Sequence, residues 1–147
     1  IGDPQPEKRT PKSVVDGQFS MPFVAAVALR SGQMTWDDYA RHIGDPKTMA
    51  LCQKVSTRID ARAEACFPRQ MSGVVTVKTA RGEFERFVEI PKGEPENFVT
   101  DDELRAKFDG LVEPYLSDAR AAMLADGLLN IEQQNSVGTL LALSRSE

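Results

Sequence analysis

The sequence predicts an α+β domain, in which a small antiparallel sheet of about three strands is packed with helices. Three observations lead to this class. A nearly uninterrupted apolar run at 23–29 lies between helix start and stop signals, and an alternating apolar pattern at 73–90 is broken once by Arg81-Gly82. Capped amphipathic segments then follow from Thr100 onwards. Since the strands are grouped in mid-chain, helices are expected on one face of the sheet.

Length and charge limit the possible partners. The 147 residues suit a single domain over 1–147, and 41% hydrophobic with 27% charged residues is ordinary for a globular protein. A net charge of −4 without a basic stripe argues against nucleic acid as a partner. The longest apolar run is too short to span a bilayer, and no leader peptide is visible, so we expect no membrane association and a cytoplasmic location. Cys52 and Cys66 lack metal-site spacing and are expected to be reduced.

The first twelve residues form a Pro-rich lead-in. Pro4, Pro6 and Pro11 are expected to keep regular structure out of residues 1–12. The chain also opens with Ile1 instead of methionine. We therefore expect this segment to be a connection from a domain upstream, and the chain to be a C-terminal fragment.

The central element is a helix that begins after Ser20 and ends at Gly32. Ser20 can serve as the N-cap, Pro22 falls in the first turn where a missing N–H costs nothing, and Gly32 suits the stop. The residues between them leave no polar face, which is typical of a helix covered on all sides. The flanking segments do not supply enough apolar residues to bury such a helix on all sides.

Two short helices and a strand are predicted next. The first helix begins at Thr35, and its apolar side consists of Trp36, Tyr39 and Ile43. The side chains expected to point away from that side are Asp37, Asp38 and Arg41. Asp45-Pro46 opens a second helix that runs to about Lys54. The alternation in 55–60 predicts a strand, and a loop is expected over 61–72.

The second half of the chain begins with the predicted hairpin, in which Gly82 supplies the turn. Thr100 and Glu103 form a capping-box pair at the start of an amphipathic helix that Pro114 interrupts. A further helix is expected from Ser117 to a stop at Gly127. A last helix is expected from Asn130, with Val137, Leu140 and Leu141 buried.

Few residues suggest chemistry. His42 is the only histidine, and its place near the C-terminal end of a helix favours a structural role through the helix dipole. Lys8, Arg9 and Lys12 could meet an anion, although a basic run in a lead-in is usually only solvated. The segment 91–93 could present backbone N–H groups to a carboxylate, but it suits a simple turn better. We therefore expect no catalytic residue, no metal site and no cofactor in this chain.

Three segments of the chain are informative together. The first is GQFSMPFVAAVALRSG, followed by Trp36-Asp37-Asp38-Tyr39, Asp45-Pro46, Leu51 and Lys54-Val55. The second is VTVKTARGEFERFVEIPKGEPEN, and the third is TDDELRAKFDGL. In this order they resemble the C-terminal part of the MmgE/PrpD family, which includes 2-methylcitrate dehydratase, cis-aconitate decarboxylase and iminodisuccinate epimerase. The resemblance covers nearly the whole chain.

The resemblance implies a lid domain that packs on a larger, upstream helical domain and encloses a polycarboxylate. It implies proton removal next to a carboxylate without a redox cofactor, catalytic residues mostly in the helical domain, and a homo-oligomer, a dimer in particular. This chain alone would be inactive. The family's "FS.PY" segment places Phe23 where some members have a tyrosine, so the substrate-binding candidates are Phe23, Ser20 and Gln18. The alternative is a stand-alone interaction or dimerisation domain without catalysis.

Overall fold

The computed structural model describes residues 4–145, which fall into two compact units that divide between Ala61 and Arg62. Within these described residues the chain forms nine α-helices, two short 3-10 turns and one antiparallel sheet. The predicted α+β class is confirmed. The sheet has two strands, one fewer than the sequence predicted.

The first unit is helical. Its elements are α1 (Gln5–Lys8), α2 (Val14–Gln18), α3 (Met21–Ser31), α4 (Asp37–His42) and α5 (Pro46–Cys52). The expectation that the prolines exclude regular structure from the lead-in was wrong, because α1 forms there. Pro6 is the second residue of α1, where a backbone N–H has no partner within the helix in any case.

Helix α3 has the predicted ends. The Ser20 hydroxyl accepts a hydrogen bond from the Phe23 N–H at 3.0 Å. At the other end Gly32 has a φ of 75°, a left-handed conformation that ends the helix and suits glycine. One face is fully buried, at Phe23, Ala26 and Val27. Leu29 on the other side is 52% exposed, so the first unit alone does not cover this helix on all sides.

The core of the first unit is built on aromatic contacts. The ring of Phe23 stacks on Tyr39 with centroids 6.0 Å apart, and Trp36 meets the same tyrosine edge-on at 5.7 Å. The prediction that Asp38 points away from the core was wrong, since only 3% of it is exposed. Its carboxylate turns back to accept hydrogen bonds from the N–H and the hydroxyl of Thr35, which offset the cost of burial. Trp36, expected on the covered side, is half exposed.

Two predictions for 55–72 were wrong. Residues 55–60 form no strand, because a strand requires a neighbouring backbone, and the Val55 carbonyl instead accepts hydrogen bonds from Arg9 Nε and Nη2 at 3.0 and 2.6 Å. The expected loop contains α6 (Ala61–Cys66). Its sequence, ARAEAC, is rich in alanine, which has the highest helix propensity.

The predicted hairpin is confirmed as β1 (Gly73–Thr79) and β2 (Gly82–Val88), which pair from Gly73 opposite Val88 to Thr79 opposite Gly82. Gly82 has a φ of 137°, which explains the glycine at this turn. Arg62 of α6 forms an ion pair of 2.8 Å with Glu85 and lies over the ring of Phe87. These two contacts attach α6 to β2.

After a 3-10 turn (Pro95–Asn97), three helices complete the second unit. They are α7 (Asp101–Val112), α8 (Asp118–Leu129) and α9 (Val137–Leu143), with a 3-10 turn (Ile131–Gln133) before α9. The predicted capping box of Thr100 and Glu103 is present. Gly127 does not end α8 as predicted; it lies inside the helix and leaves room for Leu140.

The core of this second unit includes Leu116, Leu124 and Leu140. Of the three α9 residues predicted to be buried, Leu140 is buried, whereas Val137 and Leu141 are 55% and 62% exposed. Helix α9 packs on α8 through the side that carries Leu140, and Val137 and Leu141 lie outside this contact.

Candidate functional site

The three residues predicted to bind substrate lie at the N-terminal end of α3, and they differ in exposure. Ser20 is 1% exposed, and its hydroxyl donates a hydrogen bond to the Lys8 carbonyl and accepts one from Phe23 N–H. Phe23 has no exposed surface. Gln18, the last residue of α2, is exposed. Of the three, Gln18 therefore offers a polar group to solvent, while Ser20 and Phe23 support the end of the helix.

A second polar group, which the sequence did not predict as a unit, lies at the C-terminal end of α3. We call it the Arg30 cluster, and its members are Arg30, His42, Asp45 and Thr48. Arg30 comes from the last turn of α3, His42 ends α4, and Asp45 caps α5. Thr48 has no exposed surface, and His42 is 8% exposed. The cluster therefore joins three helices through partly desolvated polar contacts.

The following assignment of protons satisfies the hydrogen bonds of the cluster. Arg30 Nη1 donates to the carboxylate of Asp45 and to the hydroxyl of Thr48, and this hydroxyl donates to Asp45 at 2.9 Å. We assign the Nδ1 proton of His42 to the bond with Thr48, 2.8 Å long, because the Thr48 proton is already used. Nε2 of His42 then accepts from the hydroxyl of Ser31 at 3.1 Å.

Asp45 is the strongest acceptor of the cluster. Its carboxylate accepts the N–H of Thr48 at 2.8 Å, which is the usual N-cap bond of a helix. Bonds from the backbone and the hydroxyl of Thr48, and then the nearby Arg30 guanidinium, lower the pKa of Asp45 from 3.8 to about 2. At neutral pH the cluster therefore contains a carboxylate that is firmly ionised.

This geometry favours binding and structural roles over acid–base catalysis for the cluster. Both ring nitrogens of His42 are engaged, as its predicted structural role requires. Oδ1 of Asp38, on the same helix, lies 3.8 Å from Nε2 of His42. The other carboxylate oxygen of Asp38 accepts a hydrogen bond from the N–H of Thr35. In residues 4–145 no group of three or more His, Cys, Asp or Glu side chains is arranged to hold a metal ion.

The importance of Arg30 and Thr48 could not be predicted from the sequence. Asp45 followed three residues later by Thr48 is an ordinary N-cap spacing, and this pattern does indicate the bond between them. Nothing in the spacing of Arg30, fifteen residues before Asp45, indicates that its guanidinium reaches the same carboxylate. Only the packing of α3 against α5 brings the two residues together.

Comparison with known proteins identifies the family. The model of the MmgE/PrpD C-terminal domain matches residues 1–133, and this chain belongs to that family. The chain is also 30% identical, over 97% of its length, to the cis-aconitate decarboxylase-like protein oryM of Aspergillus oryzae. It spans 29% of the length of that relative. Helix α9 begins after the last residue that the family model matches.

None of the helices in residues 4–145 combines the length and the apolar character needed to cross a bilayer.

Proposed function

We propose that this chain is the lid domain of a lyase or isomerase that removes a proton next to a carboxylate of a polycarboxylic acid. The observation that carries the proposal is the match of residues 1–133 to the MmgE/PrpD C-terminal domain. The name of the Aspergillus relative, a cis-aconitate decarboxylase-like protein, supports a carboxylic acid as the substrate. Dehydration, decarboxylation and epimerisation are the three outcomes we consider.

The proposed partner is an upstream helical domain of the same protein, which would supply the catalytic acid and base. The uncovered side of α3 supports this partner, since Met21 and Leu29 are 39% and 52% exposed beside a fully buried face. We further propose a homo-oligomer in the cytoplasm, with no redox cofactor. The isolated chain is expected to be inactive, because its single histidine is engaged in the Arg30 cluster.

In this proposal the substrate carboxylate approaches the N-terminal end of α3. The positive end of the helix dipole favours an anion there. The N–H of Met21 would be the donor from the first turn, because Pro22 has no N–H and the N–H of Phe23 is bonded to Ser20. Gln18 is an exposed polar side chain next to this end. The segment around Lys8 also lies beside the end of α3, because the Lys8 carbonyl accepts a hydrogen bond from the Ser20 hydroxyl. Phe23, whose ring has no exposed surface, would hold this end of the helix in place from the core and would supply no proton donor.

Kinetics of the complete protein test this assignment. Replacing Gln18 by alanine should raise KM about tenfold and change kcat less, if the amide binds substrate through one hydrogen bond to a charged group. Gln33→Ala is the matched control, since Gln33 is also exposed but follows the other end of α3. Equal kinetics for the two variants would remove Gln18 from the substrate site.

Phe23→Tyr tests Phe23, another of the three substrate-binding candidates, in the same kinetic assay. A modest change in rate or substrate preference is expected if the ring lies near substrate, because the variant adds a proton donor. Unchanged kinetics, together with a lower melting temperature, would leave Phe23 as a core residue only.

A further inference from the structure

The guanidinium of Arg30 uses only one of its three nitrogen atoms within the described part of the chain. In residues 4–145 the donors of Arg30 that bind a partner are both on Nη1, and their acceptors are Asp45 and Thr48. Nη1 also lies 3.4 Å from Nδ1 of His42, which carries the proton assigned above. Nη2 and Nε have no partner there. The side chain remains 31% exposed, so part of it is open to solvent.

The free edge is held in a fixed orientation. The two protons of Nη1 go to Asp45 and Thr48, and Thr48 is fully buried. Asp45 is in turn fixed by the backbone N–H of Thr48 at 2.8 Å. A planar guanidinium held at one nitrogen keeps its remaining donors in a known plane, which lowers the entropy cost of binding a partner.

The hydrogen bonds within the cluster do not by themselves require an arginine at position 30. A lysine ammonium could also donate to Asp45 and Thr48 from a single nitrogen. What only arginine adds is the pair of parallel N–H donors on Nε and Nη2, which match the two oxygens of a carboxylate. This pair is the part of Arg30 that the fold itself leaves unused.

We propose that Arg30 binds one carboxylate group of a small organic acid through Nε and Nη2, with Asp45 and Thr48 as the residues that orient it. The site lies at the C-terminal end of α3. It is ten residues, or about 15 Å along the helix, from Ser20. It is therefore distinct from the substrate end in the proposed function, and it does not rest on that function.

The most direct test is an NMR titration of the 147-residue chain with malonate at neutral pH. The Nε–H resonance of Arg30, identified by its loss in Arg30→Lys, should move saturably as malonate is added. Chloride at equal ionic strength should leave it in place, because chloride cannot accept two parallel hydrogen bonds. The Nε–H resonance of Arg41, whose side chain is 66% exposed and lies 3.9 Å from Asp37, is the internal control.

The affinity for malonate of the arginine-to-lysine variants gives a second readout. Arg30→Lys should bind malonate about tenfold more weakly, since one charge-assisted hydrogen bond of the pair is lost. Arg41→Lys should bind as the parent protein does. The proposal is overturned if malonate and chloride move the Arg30 resonance alike, or if Arg30→Lys keeps the affinity of the parent.

Discussion

Truncation of Phe23 is the perturbation whose energetic cost follows most directly from the structure. The ring has no exposed surface and stacks on Tyr39 at 6.0 Å. Gly17 closes the same space, because a Cβ on this glycine would lie 3.2 Å from the Phe23 ring and 3.0 Å from Tyr39. With rings and backbone on these sides, the cavity left by Phe23→Ala cannot collapse fully. We expect a loss of about 3–5 kcal/mol in the free energy of unfolding.

The assay for this loss is urea unfolding followed by tryptophan fluorescence. Trp36 is the single tryptophan of the chain, and it lies 5.7 Å from Tyr39, so its emission reports on this core. Phe19→Ala is the matched control: Phe19 is 55% exposed, and its truncation should cost no more than about 0.5 kcal/mol. Equal midpoints for the two variants would refute the assignment of Phe23 as the centre of the core.

Three further predictions concern single contacts. Thr100→Ala removes half of a capping box and should cost about 1 kcal/mol, measured by thermal melting of helical circular dichroism. Gly127→Ala places a methyl group 2.3 Å from Leu140 Cδ2, so it should cost about 1–3 kcal/mol and lower the melting temperature. Because the pKa of Asp45 is lowered in the folded state, its contribution to stability is full above pH 3.8 and is lost as the pH falls through about 2. Unfolding midpoints measured across this range should show a smaller decline in Asp45→Asn than in the parent.

The features predicted correctly from the sequence are mostly local. Ser20 and Gly32 define the ends of α3, and the Thr100 capping box defines the start of α7, because each depends on residues within one helical turn. The hairpin is similarly local, since β1 and β2 are joined by two residues. Helix caps and tight turns depend on residues close together in the sequence, so they can be predicted without knowledge of the tertiary fold.

The features that were missed depend on distant partners. The alternation in 55–60 is that of a strand, yet the Val55 carbonyl bonds to Arg9, forty-six residues earlier. Gly127 has the local character of a helix stop, but in the structure it lies inside α8, where Leu140 packs against it. The Arg30 cluster likewise exists only because α3 packs on α5. In each case a tertiary contact outweighs the local preference.

Turnover by the complete protein, measured beside the isolated 147-residue chain, tests the proposed lid function most directly. Each would be incubated with cis-aconitate and with 2-methylcitrate, and product formation would be followed by proton NMR. The proposal predicts conversion of a polycarboxylic acid by the complete protein and none by the chain alone. Turnover by the chain alone, or a reading frame that encodes no helical domain upstream, would contradict it.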